Sequence, residues 1–192
     1  DTVSAALDAL AGRTDPVTTA GLLELVAGER WAKPTLTAVD RLTITDTPLS
    51  ADVMRRAFAS RFAQVRLLAC HRVKGQQRVG FTTELERVLV ADDSWPNRRA
   101  ALLALSDRAD TRWAILAAAD DPHWRVRHTL IRVLLACERA EVFERLTRVQ
   151  SQRAAGLLAY LRFAFDRTEP TDWSPFTPPD RFALCPFWDW DP

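Results

Sequence analysis

The sequence is poor in the residues that build compact catalytic and cofactor-binding motifs. Among its 192 residues are six glycines and three cysteines, and no HExxH, CxxC, GxSxG or Gly-rich phosphate loop occurs. No apolar run reaches the roughly 18 residues that a membrane-spanning helix needs. The sequence therefore predicts no metal, no cofactor and no membrane partner. It favours a non-catalytic protein and leaves enzymatic activity open.

The cysteines are too few and too scattered to indicate disulfides. Cys70 and Cys137 fall inside helical patterns, where a reduced thiol packs as a small apolar side chain. Reduced thiols are typical of intracellular proteins, so we predict a cytoplasmic location.

Positive charge is concentrated in the middle of the chain. Residues 55–148 carry 18 basic and 11 acidic groups, a net charge of +7. Residues 1–54 carry a net charge of −4, and residues 149–192 carry −2. Arginine supplies 24 of the 26 basic residues, which is typical of a GC-rich bacterial genome. The basic middle of the chain indicates an acidic partner.

Helical periodicity recurs along the whole chain in short pieces, without the alternation typical of strands. The predicted helices lie near 2–12, 17–28, 34–43, 50–59, 61–73, 81–91, 94–106, 110–119, 122–137, 139–148 and 151–166. Pro48, Pro96 and Pro122 lie before or within a first helical turn, where the missing N–H costs little. Asp93 and Asp121 lie where N-caps are expected. The sequence thus predicts an all-α protein.

An internal repeat links several of these helices. The segment "DSWPNRRAALLAL" (93–105) aligns without gaps on "DPHWRVRHTLIRV" (121–133), an offset of 28 residues. "FAQVRLLAC" (62–70) fits the same frame, and "QRAAGLLAYL" (152–161) fits it more loosely. A helix of this length cannot bury its apolar face alone, so neighbouring repeats are expected to cover it.

This pattern resembles the HEAT family of α-solenoid repeats, in which "D-x-x-x-x-V-R-x-x-A" opens the first helix of each pair. The resemblance implies a right-handed α-solenoid of stacked antiparallel helix pairs over residues 1–166. It also implies that the recurring arginine is structural and bonds neighbouring acids and helix ends. The residues to which it assigns structural roles are Arg66, Asp93, Arg99, Asp121 and Arg127.

In the helix predicted at 122–137, one face is apolar and the other basic. Val126, Leu130 and Val133 recur at the spacing of a buried face. The opposite side carries Arg125, His128 and Arg132, which we expect to point to solvent.

The second helix of each pair lines the concave side in HEAT-like proteins, so the resemblance predicts a partner-binding groove there. The polar residues assigned to it are Arg55, Arg56, Arg87, Arg112, Glu141, Arg145 and Arg148. Such a groove would attract an acidic peptide or a phosphate backbone. Because glutamates lie close by in the sequence, a solvated, salt-bridged face is the alternative.

Residues 167–192 form a Pro- and aromatic-rich tail after the predicted repeat domain. They hold 6 of the 11 prolines and 6 of the 17 aromatic residues, unlike a polar disordered tail. One interpretation is a cap on the last helix. The other is a docking segment that inserts aromatic anchors into a partner, with the candidate residues Trp173, Phe187, Trp188 and Trp190.

These observations favour a non-catalytic scaffold or adaptor that binds a protein or an acidic peptide through its concave face, its tail, or both. A second hypothesis is a DNA-binding protein similar to the HEAT-like alkylpurine DNA glycosylases, because Trp95, Trp113 and Trp124 accompany the basic middle. No catalytic acid of that family can be matched to a position here. A third is a regulatory subunit, or a fragment of a larger enzyme assembly.

Overall fold

The computed structural model describes residues 15–44, 47–76, 80–109, 111–149 and 152–166. Within these ranges the regular structure is entirely helical, so the predicted all-α class is confirmed for them. The elements are α1 (Pro16–Gly28), α2 (Ala32–Leu42), α3 (Pro48–Phe58), α4 (Ala63–Gly75), α5 (Thr82–Ala91), α6 (Trp95–Ser106), a 3₁₀ helix (Arg112–Asp120), α7 (Trp124–Leu134), α8 (Arg139–Leu146) and α9 (Gln152–Asp166). The helix predicted near 2–12 and the tail 167–192 lie outside the described residues. None of the described helices is both long and apolar enough to cross a membrane.

The chain divides into two compact units, Asp1–Glu84 and Leu85–Pro192. In the first unit, α1 packs against α2 and α3, while α4 packs against α2 and α3. In the second unit, α6 and α7 pack against each other and against the 3₁₀ helix, and α9 packs against the 3₁₀ helix and α8.

Unit 1 is held by an apolar core and by hydrogen bonds at helix ends. Val39, Met54 and Phe58 are buried at its centre. At the start of α3, the Thr47 hydroxyl accepts from the Ser50 amide at 3.1 Å, and the Ser50 hydroxyl accepts from the Thr47 amide at 2.9 Å. This reciprocal capping box satisfies two amide groups that the helix itself cannot pair.

The segment predicted as a helix at 110–119 is a 3₁₀ helix over Arg112–Asp120. Its buried side chains fall in pairs three residues apart, Ile115 with Ala118 and Leu116 with Ala119. Residues three apart share a face when the chain winds at three residues per turn. Both pairs therefore face inward. The apolar spacing in the sequence is compatible with an α-helix and with a 3₁₀ helix, so it did not distinguish the two.

Three turns between helices are closed by the same hydrogen bonds, an arrangement we call the turn clamp. A Ser or Asp side chain accepts the amide N–H two residues ahead, at 2.8–3.2 Å. The carbonyl of the same residue accepts from Nη1 of an arginine six residues ahead, at 2.7–2.9 Å. The three clamps join Ser60 to Arg66, Asp92 to Arg98, and Asp121 to Arg127. Each carbonyl lies just past the end of a helix, where a cation is favourable.

The clamps correct the register of the predicted repeat. In the second clamp the structure uses Asp92 and Arg98, where the alignment assigned Asp93 and Arg99. The offset to the third clamp is therefore 29 residues and not 28. The buried positions follow the new register: Val65, Ala69 and Val73 correspond to Asn97, Ala101 and Leu105, and these to Val126, Leu130 and Leu134. Asp92 and Asp93 are adjacent, as are Arg98 and Arg99. A shift of one residue therefore still aligns an aspartate with Asp121 and an arginine with Arg127, so the sequence does not distinguish the two registers.

Candidate functional site

A cavity of about 680 Å³ opens in the second unit beside α6 and α7. Both helices contribute side chains to it, and the 3₁₀ helix contributes Arg112. We call this cavity the basic groove. Its lining residues are Arg99, Leu103, Ser106, Asp107, Arg112, Trp124, Arg125, His128, Thr129, Arg132, Val133, Ala136 and Cys137.

Positive charge dominates the lining, with four arginines against one aspartate. Arg99, Arg125 and Arg132 are exposed, and Arg112 is half-buried. Within the described ranges of the chain, none of these four guanidinium groups forms an ion pair with a carboxylate. Cations gathered around one recess without carboxylate partners produce a positive potential there, which attracts anions.

Arg99 is oriented by a short chain of hydrogen bonds. Its Nε donates to the Thr129 hydroxyl at 3.0 Å, and that hydroxyl donates to the Arg125 carbonyl at 2.8 Å. The bond through Nε leaves both terminal nitrogens of the guanidinium as donors. A planar fork held in this way loses less conformational entropy when it binds an oxyanion.

His128 lies close to two of the arginines. Burial lowers the pKa of its imidazole, and the charges of Arg132 and Arg99 lower it further. The imidazole is therefore neutral near pH 7. Arg99 and Arg132 thus line the groove near His128 from two helices.

Apolar side chains form the other part of the groove. Leu103 on α6 and Val133 on α7 line it, as do Ala136 and Cys137 just beyond the end of α7. A ligand that fills the groove thus meets a basic surface and an apolar one.

Aromatic rings and a guanidinium stack beside the groove. The rings of Trp95 and His123 lie 4.4 Å apart and nearly parallel. The Arg125 guanidinium lies 4.8 Å from the Trp95 ring centre and 5.2 Å from that of Trp124. These cation–π contacts hold Arg125 beside the groove.

The residues predicted to line a single concave groove are divided between the two units. Arg55 and Arg56 belong to the first unit, and both are exposed. Arg55 pairs with Asp52 at 2.9 Å and lies 5.9 Å from the Phe81 ring centre. The role of these two residues in binding stays a prediction.

The other predicted groove residues lie in the second unit. Trp113 brings two of them together, because its Nε1 donates to Glu141 at 2.9 Å and the Arg145 guanidinium lies 5.5 Å from its ring centre. Arg148 pairs with Glu144 at 2.5 Å. Arg87 is exposed on α5, and Arg112 alone of the predicted set lines the basic groove.

Sequence reasoning did not assign Arg99, Arg125, His128 and Arg132 to a binding site. The repeat pattern gives Arg99 a structural role, and the sequence predicts that the other three face solvent. Arg125 and Arg132 are indeed exposed, and His128 is half-buried. The available signal was the basic stripe at three- and four-residue spacing on α7, together with an arginine about one repeat earlier on α6.

Two further predictions concern the tail and metals. Trp173, Phe187, Trp188 and Trp190 lie outside the described residues. Among the residues that the structure describes, no group of three His, Cys, Asp or Glu side chains could hold a metal ion.

Comparisons with known proteins leave the family of the chain open. No family model, curated protein or solved structure matches it. The HEAT-like assignment therefore stays a prediction.

Proposed function

We propose that this chain is a non-catalytic helical-repeat module that binds an acidic segment of another protein in the basic groove. The observation that carries the proposal is the set of four arginines, without ion-pair partners among the described residues, around one cavity. Charge of one sign gathered in a recess raises both the affinity and the association rate of an oppositely charged partner.

The position of Arg125 supports this interpretation. It lies in the first turn of α7, which contains no acidic residue. A cation there opposes the helix dipole at a cost of about 0.3–1 kcal/mol. The neighbouring arginines add like-charge repulsion. A bound anion would relieve both effects.

The size and composition of the groove fit a peptide better than a large rigid surface. Its volume, about 680 Å³, lies in the range of roughly 300–1,000 Å³ typical of small-ligand sites. Leu103 and Val133 give it an apolar wall beside the arginines. A short acidic segment that also carries an apolar side chain matches both surfaces.

The helical-repeat part of the proposal, a right-handed HEAT-like α-solenoid, is supported by local recurrence. The turn clamps recur at 32- and 29-residue offsets with matching buried positions. In the first unit, α1 packs against α3 and α2 against α4, as helices two apart do when pairs stack.

The proposal is tested by fluorescence anisotropy with a labelled peptide of alternating Glu and Leu, and with the same peptide carrying Gln for Glu. The double variant Arg99→Gln/Arg132→Gln is compared with Arg30→Gln/Lys33→Gln, which removes the same charge from exposed sites in the first unit. We expect the groove variant to bind the acidic peptide at least about tenfold more weakly, a loss of about 1.4 kcal/mol. The control variant should stay within about twofold of the unsubstituted chain. Equal losses in both variants would mean general charge attraction and would exclude the groove.

DNA is the second candidate partner, favoured by Trp124 and Arg125 side by side at the groove. A duplex that binds through its phosphates releases counterions, so its affinity falls steeply with salt. If a short duplex binds more tightly than the acidic peptide at about 0.15 M salt, and its affinity falls steeply with salt, DNA becomes the favoured partner in place of an acidic protein segment.

A further inference from the structure

Three side chains that line the basic groove come from two helices that pack against each other. Arg99 comes from α6, and His128 and Arg132 lie four residues apart on α7. All three line the cavity, and the charges of both arginines act on the His128 ring. Two guanidinium forks and an imidazole that line one cavity can contact several oxygens of a single anion.

A phosphate monoester suits this arrangement better than a carboxylate does. It carries close to two negative charges near pH 7 and three strong acceptor oxygens, whereas a carboxylate carries one charge and two oxygens. The guanidinium of Arg99 is already held by Thr129, so its two terminal nitrogens can bind two oxygens together.

We propose that the basic groove recognises a phosphorylated serine or threonine of the partner through Arg99, His128 and Arg132, with a neighbouring apolar residue against Leu103 and Val133. This inference rests on the proposed function and specifies the chemistry of its ligand. Binding of the partner then depends on a kinase that phosphorylates it, because the unmodified side chain has neither the charge nor the oxygens.

The shape of the charge distribution separates this ligand from nucleic acid. Binding along a nucleic-acid backbone uses cations spaced to follow successive phosphates, each with one charge. Here the four arginines line a single cavity together with apolar residues. The Trp95 ring is already stacked on His123 within the protein.

The test uses the full chain and three peptides, acetyl-Ala-Gly-X-Leu-Gly-Ala-amide, with X as phosphothreonine, glutamate or threonine. Binding is followed by NMR through the His128 ring signal, assigned with His128→Gln, and by calorimetry. We expect the phosphothreonine peptide to bind at least about tenfold more tightly than the glutamate peptide. The threonine peptide should cause no shift of the His128 signal.

Substitutions inside and outside the basic groove test where the phosphothreonine peptide binds. Arg132→Gln removes an exposed charge and should abolish the preference for phosphothreonine over glutamate. Arg99→Lys keeps the charge but loses the fork and the bond to Thr129, so it should reduce the same preference. Arg30→Gln, on the exposed surface of the first unit, should leave the preference unchanged.

The outcomes separate this inference from the proposal on which it rests. Equal, groove-dependent binding of the glutamate and phosphothreonine peptides would overturn the phosphate inference and keep the acidic-partner proposal. Failure of both peptides to bind would overturn both. A short DNA duplex that binds more tightly than the phosphothreonine peptide, and is weakened by the same variants, would also overturn the inference in favour of nucleic acid.

Discussion

Arg98 donates two hydrogen bonds to the carboxylate of Asp121, from Nε at 2.6 Å and from Nη2 at 3.0 Å. The two side chains are 10% and 3% exposed. Arg98 also closes the clamp on Asp92, while Asp121 begins the clamp with Arg127. One buried ion pair thus connects two successive turns of the second unit, and the Asp121 hydrogen bond raises the pKa of Arg98.

Replacing Arg98 is expected to destabilise the second unit strongly. Arg98→Leu leaves the Asp121 carboxylate buried without its cation, a change that typically costs about 3–5 kcal/mol. The measurement is the free energy of unfolding by urea, followed by circular dichroism. Arg56→Leu, at an exposed site, is the matched control and should change stability by no more than about 0.5 kcal/mol. Comparable effects of the two substitutions would contradict the importance of the buried pair.

The clamp register predicts different outcomes for two arginines of the second unit. Arg127→Gln removes charged hydrogen bonds to the Asp121 and Pro122 carbonyls, at 2.7 and 2.9 Å, and should cost about 1.5–3 kcal/mol. Arg99→Gln removes one bond to a hydroxyl at an exposed residue and should cost less than about 1 kcal/mol. Urea denaturation of both variants measures the difference. The 28-residue register, in which Arg99 is the repeat arginine, would be favoured if Arg99→Gln were the more damaging substitution.

Stability is expected to fall as the pH is lowered through about 6.5, the ordinary pKa of histidine. Burial is the main cause that lowers the pKa of both His123 and His128 in the folded chain, and neighbouring arginines add to it. Between the folded and unfolded pKa values the unfolded chain binds more protons, so its free energy falls relative to the folded state. The loss therefore begins near pH 6.5 and is complete below the folded pKa values.

A histidine variant isolates this effect. Urea midpoints are compared at about pH 7.5 and about pH 5.5 for the unsubstituted chain and for His123→Asn/His128→Gln. Asparagine retains a capping group at the start of α7, where the His123 Nδ1 now accepts from the Arg125 amide. The variant should lose less stability over this range. An identical loss in both proteins would assign the pH dependence to other groups.

The capping box at the start of α3 predicts a smaller effect in the first unit. Thr47→Ala removes the hydroxyl that accepts from the Ser50 amide and should cost about 1 kcal/mol. Thr37→Ala is the control, because its hydroxyl bonds only to the Lys33 carbonyl within α2 and alanine favours the helix interior. The same urea experiment measures both. A loss for Thr37→Ala as large as that for Thr47→Ala would argue against a specific role for the cap.

Local patterns predicted the helices well because their causes are local. Pro48 and Pro96 occupy the first turns of α3 and α6 as expected, and the apolar spacing of Val126 and Leu130 turns both inward. These features depend on a few neighbouring residues and are visible in the sequence.

The candidate site was harder to predict because it depends on packing between helices. Whether Arg98 or Arg99 closes the clamp is decided by the direction of each side chain on α6. The position of Arg99 beside His128 and Arg132 requires α6 to lie against α7. Periodicity places each residue on a face of its own helix and does not show which faces meet.

The turn clamps also bear on the order in which the chain folds. Each clamp joins two residues six positions apart, and short loops close within about tens of nanoseconds at a small entropic cost. The Arg98–Asp121 pair, in contrast, spans 23 residues and needs two clamped turns to be near each other first. We expect each turn to form early as a local nucleus, with its arginine already placed, and the buried pair to form when neighbouring turns dock.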